Sequence, residues 1–148
     1  MKIKVAELEG AKLDYWVAKA EGHILKRSLR DGWQEVRTND DAQFFLGFHP
    51  SNPNDKNEYW YEDFYSPSTS WSQGGPIHER EGINIWQSGD RKSWDASARW
   101  WQTSQFNLNG PTPLIAAMRC FVASKFGEEV EELVTSIHID LYIEVMAF

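Results

Sequence analysis

The most compact set of versatile side chains is the run His78-Glu79-Arg80-Glu81. In an extended segment Glu79 and Glu81 point to one side, His78 and Arg80 to the other. Two carboxylates on one side can share acid–base work or hold a divalent ion. The same pair can equally be a solvated edge or the partners of arginines. His78, Glu79 and Glu81 are therefore the catalytic candidates, for a carboxylate-dependent hydrolase. The other histidines, His23, His49 and His138, have no metal-binding spacing, and no serine stands in a GxSxG elbow. Cys120 falls inside an apolar run, away from the helix-start N–H groups that activate a thiol. No metal and no cofactor is expected.

Binding chemistry is better represented. The segment before that run reads SPSTSWSQGGPI at 66–77. Gly74 and Gly75 ahead of Pro76 suggest a tight bend whose successive N–H groups form an anion nest. Trp71 lies beside it as a stacking surface, among serine and threonine hydroxyls. A second feature is GPTP at 110–113, opening the run LIAAMRCFVASKF. Thr112 is apt as an N-cap and Pro113 as the first helical residue, and the N–H groups of such a helix start favour an anionic oxygen. Arg119 falls near Ala116 and Ala123, either paired with Glu79 or Glu81 or recognising a phosphate or carboxylate. Trp71, Gly74, Gly75, Thr112 and Arg119 thus form a candidate site for a small anionic or nucleotide-like ligand. The condition is that the glycine bend and the helix start border one hollow. A plain Gly-Gly-Pro turn with a tryptophan plug is the structural alternative. No GxxxxGK[ST] or GxGxxG phosphate loop is present.

Six of the eight tryptophans fall between residues 60 and 101. A buried indole needs a partner for its N–H, so some of these should line a groove or an interface. Trp71 is the first candidate, then Trp60 and Trp86, with Trp100 and Trp101 placed to close over a pocket. Exposed tryptophans also suit contact with a host protein, because they often anchor interfaces.

The chain has 148 residues, enough for one ordinary domain with its own core. Fifteen basic and 22 acidic residues give −7, but six carboxylates lie in 128–148, where there is no Lys or Arg. The preceding 127 residues are nearly neutral. Duplex nucleic acid finds no basic stripe here and is disfavoured as a partner. No apolar run approaches the roughly 20 residues of a membrane span, and a single cysteine excludes an internal disulfide framework. A soluble protein in a reducing interior is the expectation.

These candidates need elements to position them. Residues 1–8 alternate as a strand, and Ala11–Glu21 has helical periodicity closed by Gly22. Ile24–Leu29 and Trp33–Val36 read as a hairpin across Asp31-Gly32. Ser66–Pro76 reads as irregular, Ile83–Gln87 as a strand, and Gly89–Asn109 as a long excursion suited to a lid. Pro113–Phe126 is the strongest helix. Glu128–Leu133 is expected to be helical, and Ile137–Val145 alternates as a final strand. That strand can pair with its own sheet or with a second copy of the chain, making a homo-oligomer. The fold class is α+β: a compact single domain with a mostly antiparallel sheet, two principal helices and long aromatic-rich loops. The domain is expected over 1–132, with 133–148 as an acidic extension.

YSPSTSWSQGGPIHEREGI at 65–83 and GPTPLIAAMRCFVASKFGEEVE at 110–131 resemble the two signature segments of the NinX-like phage protein family. VAELEGAKLDYWVAKAEG at 5–22 is similar to that family's N-terminal helix region. Ser70 stands where the family typically has an acidic residue, so no catalytic carboxylate carries over to that position. The resemblance implies a phage or prophage origin and an accessory role in the cytoplasm of the infected or lysogenic bacterium. It implies no reaction. The leading expectation is a noncatalytic protein that binds, and so sequesters, a small anionic host molecule. The alternative is an adaptor or inhibitor that grips a host protein through exposed tryptophans and the acidic tail.

Overall fold

A computed structural model describes residues 1–27, 33–37, 43–47, 65–98 and 107–132, with side chains over 1–25, 65–98 and 107–132. Among these residues three α-helices, a 3-10 turn at Val5–Glu7 and three small antiparallel sheets make an α+β arrangement. The first sheet pairs β1 (Lys2–Lys4) with β8 (Glu129–Glu131), in register Lys2↔Glu131, Ile3↔Val130 and Lys4↔Glu129. Opposite charges thus face each other on both sides of a buried Val130. The second sheet is a meander of β2 (Ile24–Arg27), β3 (Trp33–Arg37) and β4 (Gln43–Gly47). The third is a meander of β5 (Ile83–Gln87), β6 (Trp94–Ala98) and β7 (Asn107–Gly110).

Helix α3 (Pro113–Phe126) is the hub, because Leu114 and every residue from Ala116 to Ala123 is buried. A helix apolar on all sides must be covered on all sides. The β5–β6–β7 sheet covers one side, and α1 (Gly10–Glu21) and α2 (Trp71–Glu81) cover the others. Alanines at 116, 117 and 123 let these neighbours come close. Helix α1 contributes Leu13, Trp16 and Val17 to the core and ends at Gly22, whose φ of 78° is left-handed, as expected.

Three expectations are corrected. Residues 71–76 belong to α2 rather than to an irregular stretch, giving a third helix beside the two principal ones. Residues 129–131 form a strand instead of a helix, because the N-terminal strand supplies hydrogen-bond partners that periodicity cannot reveal. The stretch 89–109 is no uninterrupted excursion, since β6 and the start of β7 lie within it. Trp60, Trp100, Trp101, the Asp31-Gly32 turn and the 133–148 tail lie outside the described residues.

Helix α2 overrides the poor helix propensity of Gly-Gly-Pro through packing. Gly74 approaches the Pro67 carbonyl and Leu114 so closely that an added Cβ would lie 2.2 Å from Pro67 O and 2.7 Å from Leu114 Cδ1. Gly75 precedes Pro76, where a Cβ would oppose helical backbone. Pro76 lacks an N–H for the Ser72 carbonyl, a deficit tolerated because both residues are exposed. Gly74→Ala is expected to lower stability by about 1–3 kcal/mol through overpacking. Gly89→Ala, with open space around the new methyl, should stay within about 0.5 kcal/mol. Urea denaturation of the two variants checks this.

Candidate functional site

The first signature segment begins with a turn at 66–70, in which Ser70 N–H donates to the Ser66 carbonyl at 2.8 Å. Gln73 reaches back from α2, its Oε1 accepting the Ser66 N–H at 2.8 Å. From the other side Asp14 of α1 accepts the Ser68 N–H at 2.8 Å. Two side-chain acceptors therefore fix the turn that launches Trp71.

The anion nest does not form. Gly74 is buried within α2, and its N–H donates to the Ser70 carbonyl at 2.8 Å. Leu114 and Pro67 seal the space beside it. The start of α3 is also spent. Thr112 Oγ1 caps the Ile115 N–H at 3.1 Å, the Ala116 N–H goes to the Thr112 carbonyl at 3.1 Å, and Pro113 has none. Thr112 and Pro113 thus act as expected on the helix, but their capping leaves little for an anion.

Arg119 is 8% exposed and pairs with neither Glu79 nor Glu81. Its Nε donates to the Leu8 carbonyl and one terminal nitrogen to the Asn109 carbonyl, both at 2.8 Å. Burial lowers its pKa, partly offset by Glu9. The guanidinium is a strut between the N-terminal segment and β7. The structure therefore brings Gly74 and the α3 start together, but as packed neighbours rather than as walls of a hollow.

The acid–base candidates do not converge. In a helix, residues two apart face different ways, so Glu79 and Glu81 are separated. Arg80 donates to Glu81 at 3.0 Å, and Lys125 lies 3.9 Å from the same carboxylate. Arg80 also makes a two-pronged ion pair with Glu21 at the end of α1. His78 meets Trp71 edge-on, with ring centroids 6.5 Å apart. Among the described residues no cluster of three or more His, Cys, Asp or Glu side chains could hold a metal ion. Burial pushes the Cys120 thiol up to about 12, which makes it a packed, inert group.

Among the described side chains, two indoles remain outside the core. Trp71 is 53% and Trp86 42% exposed, whereas Trp16 is buried and Trp94 packs against the core. The Trp71 ring lies across Gly75, its Cε3 3.9 Å from where a Cβ would stand. With exposed Ser72 and Pro76 it makes a firm shelf on the outer face of α2.

Sequence reasoning passed over Asp14. It was legible only as a carboxylate on the apolar side of a helix, within LDYW. The structure buries it beside Ser68 and close to Tyr65. Desolvation raises its pKa to about 7, against the lowering effect of the Ser68 hydroxyl and N–H. Tyr65 is pushed well above its usual range by burial and by the Glu21 and Asp14 carboxylates, and it stacks edge-on with His23 at 5.6 Å.

The family model described as Bacteriophage P22, NinX matches residues 4–125. The match runs from the end of β1 to the last turn of α3 and takes in Asp14, Trp71 and Arg119. No curated protein matches the chain at a significant level. Among the described residues no helix is long and apolar enough to cross a membrane.

Asp14 carries a pH signature. Its folded pKa of about 7 exceeds the unfolded value near 4, so between these values the folded state binds the extra proton. Stability should fall as pH rises from about 4 to about 7, by about 2–4 kcal/mol, and level off above. Asp14→Asn keeps an acceptor for Ser68 and removes the charge, so it should flatten that component of the slope. Urea denaturation across pH for both proteins reads the difference.

Proposed function

The chain belongs to the phage NinX family, and from that premise we propose that it is a noncatalytic accessory protein that works by gripping a host protein in the bacterial cytoplasm. The observation that carries this reading is the exposed Trp71 shelf. An indole half in water at a fixed place is costly to leave uncovered, since burying such a side chain is worth about 1.5–3 kcal/mol. Its base is fixed by the Asp14–Ser68 and Gln73–Ser66 bonds and by the Gly74–Leu114 contact, so little ordering is needed on binding. The neighbouring exposed side chains, Ser72, Pro76 and Glu79, offer few donors for a small anion. The shelf suits a partner with an apolar slot that receives the ring and acceptors for the indole N–H at its rim.

A sequestering site for a small anion draws no support from the geometry, because the Gly74 N–H, the Thr112 hydroxyl and Arg119 assigned to its charged part are engaged within the fold. A carboxylate-dependent hydrolase is likewise unsupported, as Glu81 is neutralised by Arg80 and Lys125.

The test places a photo-crosslinking residue at Ser72 in the full chain, expressed in the host bacterium, and rebuilds any captured pair from purified components. Trp71→Ala should weaken the rebuilt complex by about 2 kcal/mol or more, roughly thirtyfold, with an unchanged melting curve. Equal affinity of wild type and Trp71→Ala for the crosslinked protein would exclude this shelf as the working surface.

A further inference from the structure

The outer face of the β5–β6–β7 sheet presents a second surface, independent of Trp71. Strand register aligns its side chains in two rungs across the three strands. One rung is Asn84, Ser97 and Asn107; the other is Trp86, Asp95 and Asn109. Alternation turns Ala96, Ala98 and Leu108 to the core, so these six share the opposite face. Asn84, Trp86, Asn107 and Asn109 are exposed, and Ser97 is buried between them as a floor.

The second rung is fixed in place. Asn109 Nδ2 lies 3.0 Å from each of Asp95 Oδ1, Ser93 Oγ and Ser88 Oγ. Asp90 in turn accepts from the Ser93 hydroxyl at 3.1 Å and from the Lys92 and Ser93 N–H groups at 2.8 and 3.1 Å. The amide orientation is thereby set, with its carbonyl oxygen and the second Asp95 oxygen left to meet a ligand.

We propose that this face binds a neutral carbohydrate chain laid across the strands. The indole of Trp86 offers an apolar platform for the C–H face of a sugar ring. The Asp95 carboxylate beside it accepts from hydroxyls in charge-assisted hydrogen bonds. Asn109, Asn107 and Asn84 supply both donors and acceptors, as a hydroxyl requires. Successive polar groups stand one strand spacing apart, about 4.8 Å, the scale of a single ring. Charge does not favour an anion within the rungs, because Asp95 lies in one and Asp90 behind it, while the neighbouring basic residues, Lys4 beside Asn107 and Lys92 in the hairpin turn, stand outside both. A nucleobase carries its hydrogen-bonding groups on only part of its edge, whereas a sugar ring carries hydroxyls, each both donor and acceptor, around its whole rim. A protein surface is a poorer match, since it would cover three amides and a carboxylate to bury one indole.

The test titrates the full chain with cellohexaose, chitohexaose and maltohexaose at millimolar concentrations, read by calorimetry and tryptophan fluorescence. At least one should bind saturably. Trp86→Ala and Asp95→Asn should each weaken that binding at least about tenfold with the far-ultraviolet dichroism unchanged, while Trp71→Ala should not alter it. No saturable binding by any of the three overturns the proposal. So does equal binding by the Trp86→Ala variant, or binding of adenosine or uridine at this face in preference to all three sugars. Because Trp71 is not involved, these outcomes are separate from those for the host-protein contact.

Discussion

The constraint on which the rest of the structure depends is the burial of α3 around its whole circumference. Nine residues of this helix are withdrawn from water, and Arg119 is the one charged side chain among them. A helix of that kind cannot lie on a surface; it dictates that sheet and helices wrap it. The smallest contacts show how tightly this is done. A Cβ on Gly110 would lie 2.7 Å from the Ala116 nitrogen, and one on Gly74 would lie 2.7 Å from Leu114 Cδ1. The first turn of α3 is thus held between a glycine of β7 and a glycine of α2. Both signature segments meet there, and close packing accounts for their glycines at 74 and 110.

Polar bonds then lock what apolar burial collects. Arg119 satisfies two backbone carbonyls at sequence distances of 111 and 10 residues. Asp14 reaches 54 residues along the chain to Ser68, and Arg80 reaches 59 to Glu21. The Arg80–Glu21 pair is half in water, so screening limits its worth to about 1 kcal/mol or less. The Arg119 and Asp14 bonds are buried, and breaking either leaves a polar group without water, at about 1–3 kcal/mol. These long-range bonds set where α2 begins and ends relative to α1, and hence where Trp71 emerges.

Much of this was legible from local pattern alone. Helix α3 matched its sequence bounds because Thr112, Pro113 and an unbroken apolar run act within one segment. Gly22 and β5 followed from local rules too. Helix α2 was not legible, since Gly-Gly-Pro disfavours a helix locally and its compensation comes from Leu114 and Pro67, outside the helix. Thr112 was legible as the helix cap, whereas the partners offered for Arg119, Glu79 or Glu81 or a ligand anion, left out the backbone carbonyls that hold it. Backbone carbonyls leave no trace in residue identity, so a sequence reading undercounts them as partners for a buried cation. The paired strands β1 and β8 were obscured for the same reason, as their pairing joins the two ends of the described chain.

A distinctive sequence word is therefore ambiguous evidence for function. Gly74 of GGPI and Gly110 of GPTPLIAAMRC stand where no Cβ fits, and at those positions packing accounts for the residue without any ligand. Function is better sought among residues that the fold does not need. Trp16 is held in the core against Phe126 and under the Lys19 ammonium, 5.1 Å from its ring. Trp71 and Trp86 have no comparable enclosure, Trp71 meeting Gly75 and the edge of His78 on its own helix. Placing the most apolar of side chains where solvent takes half of it is an expense without a structural return. On that physical ground the uncovered indoles, Trp71 and Trp86, are where the two proposed contacts are placed.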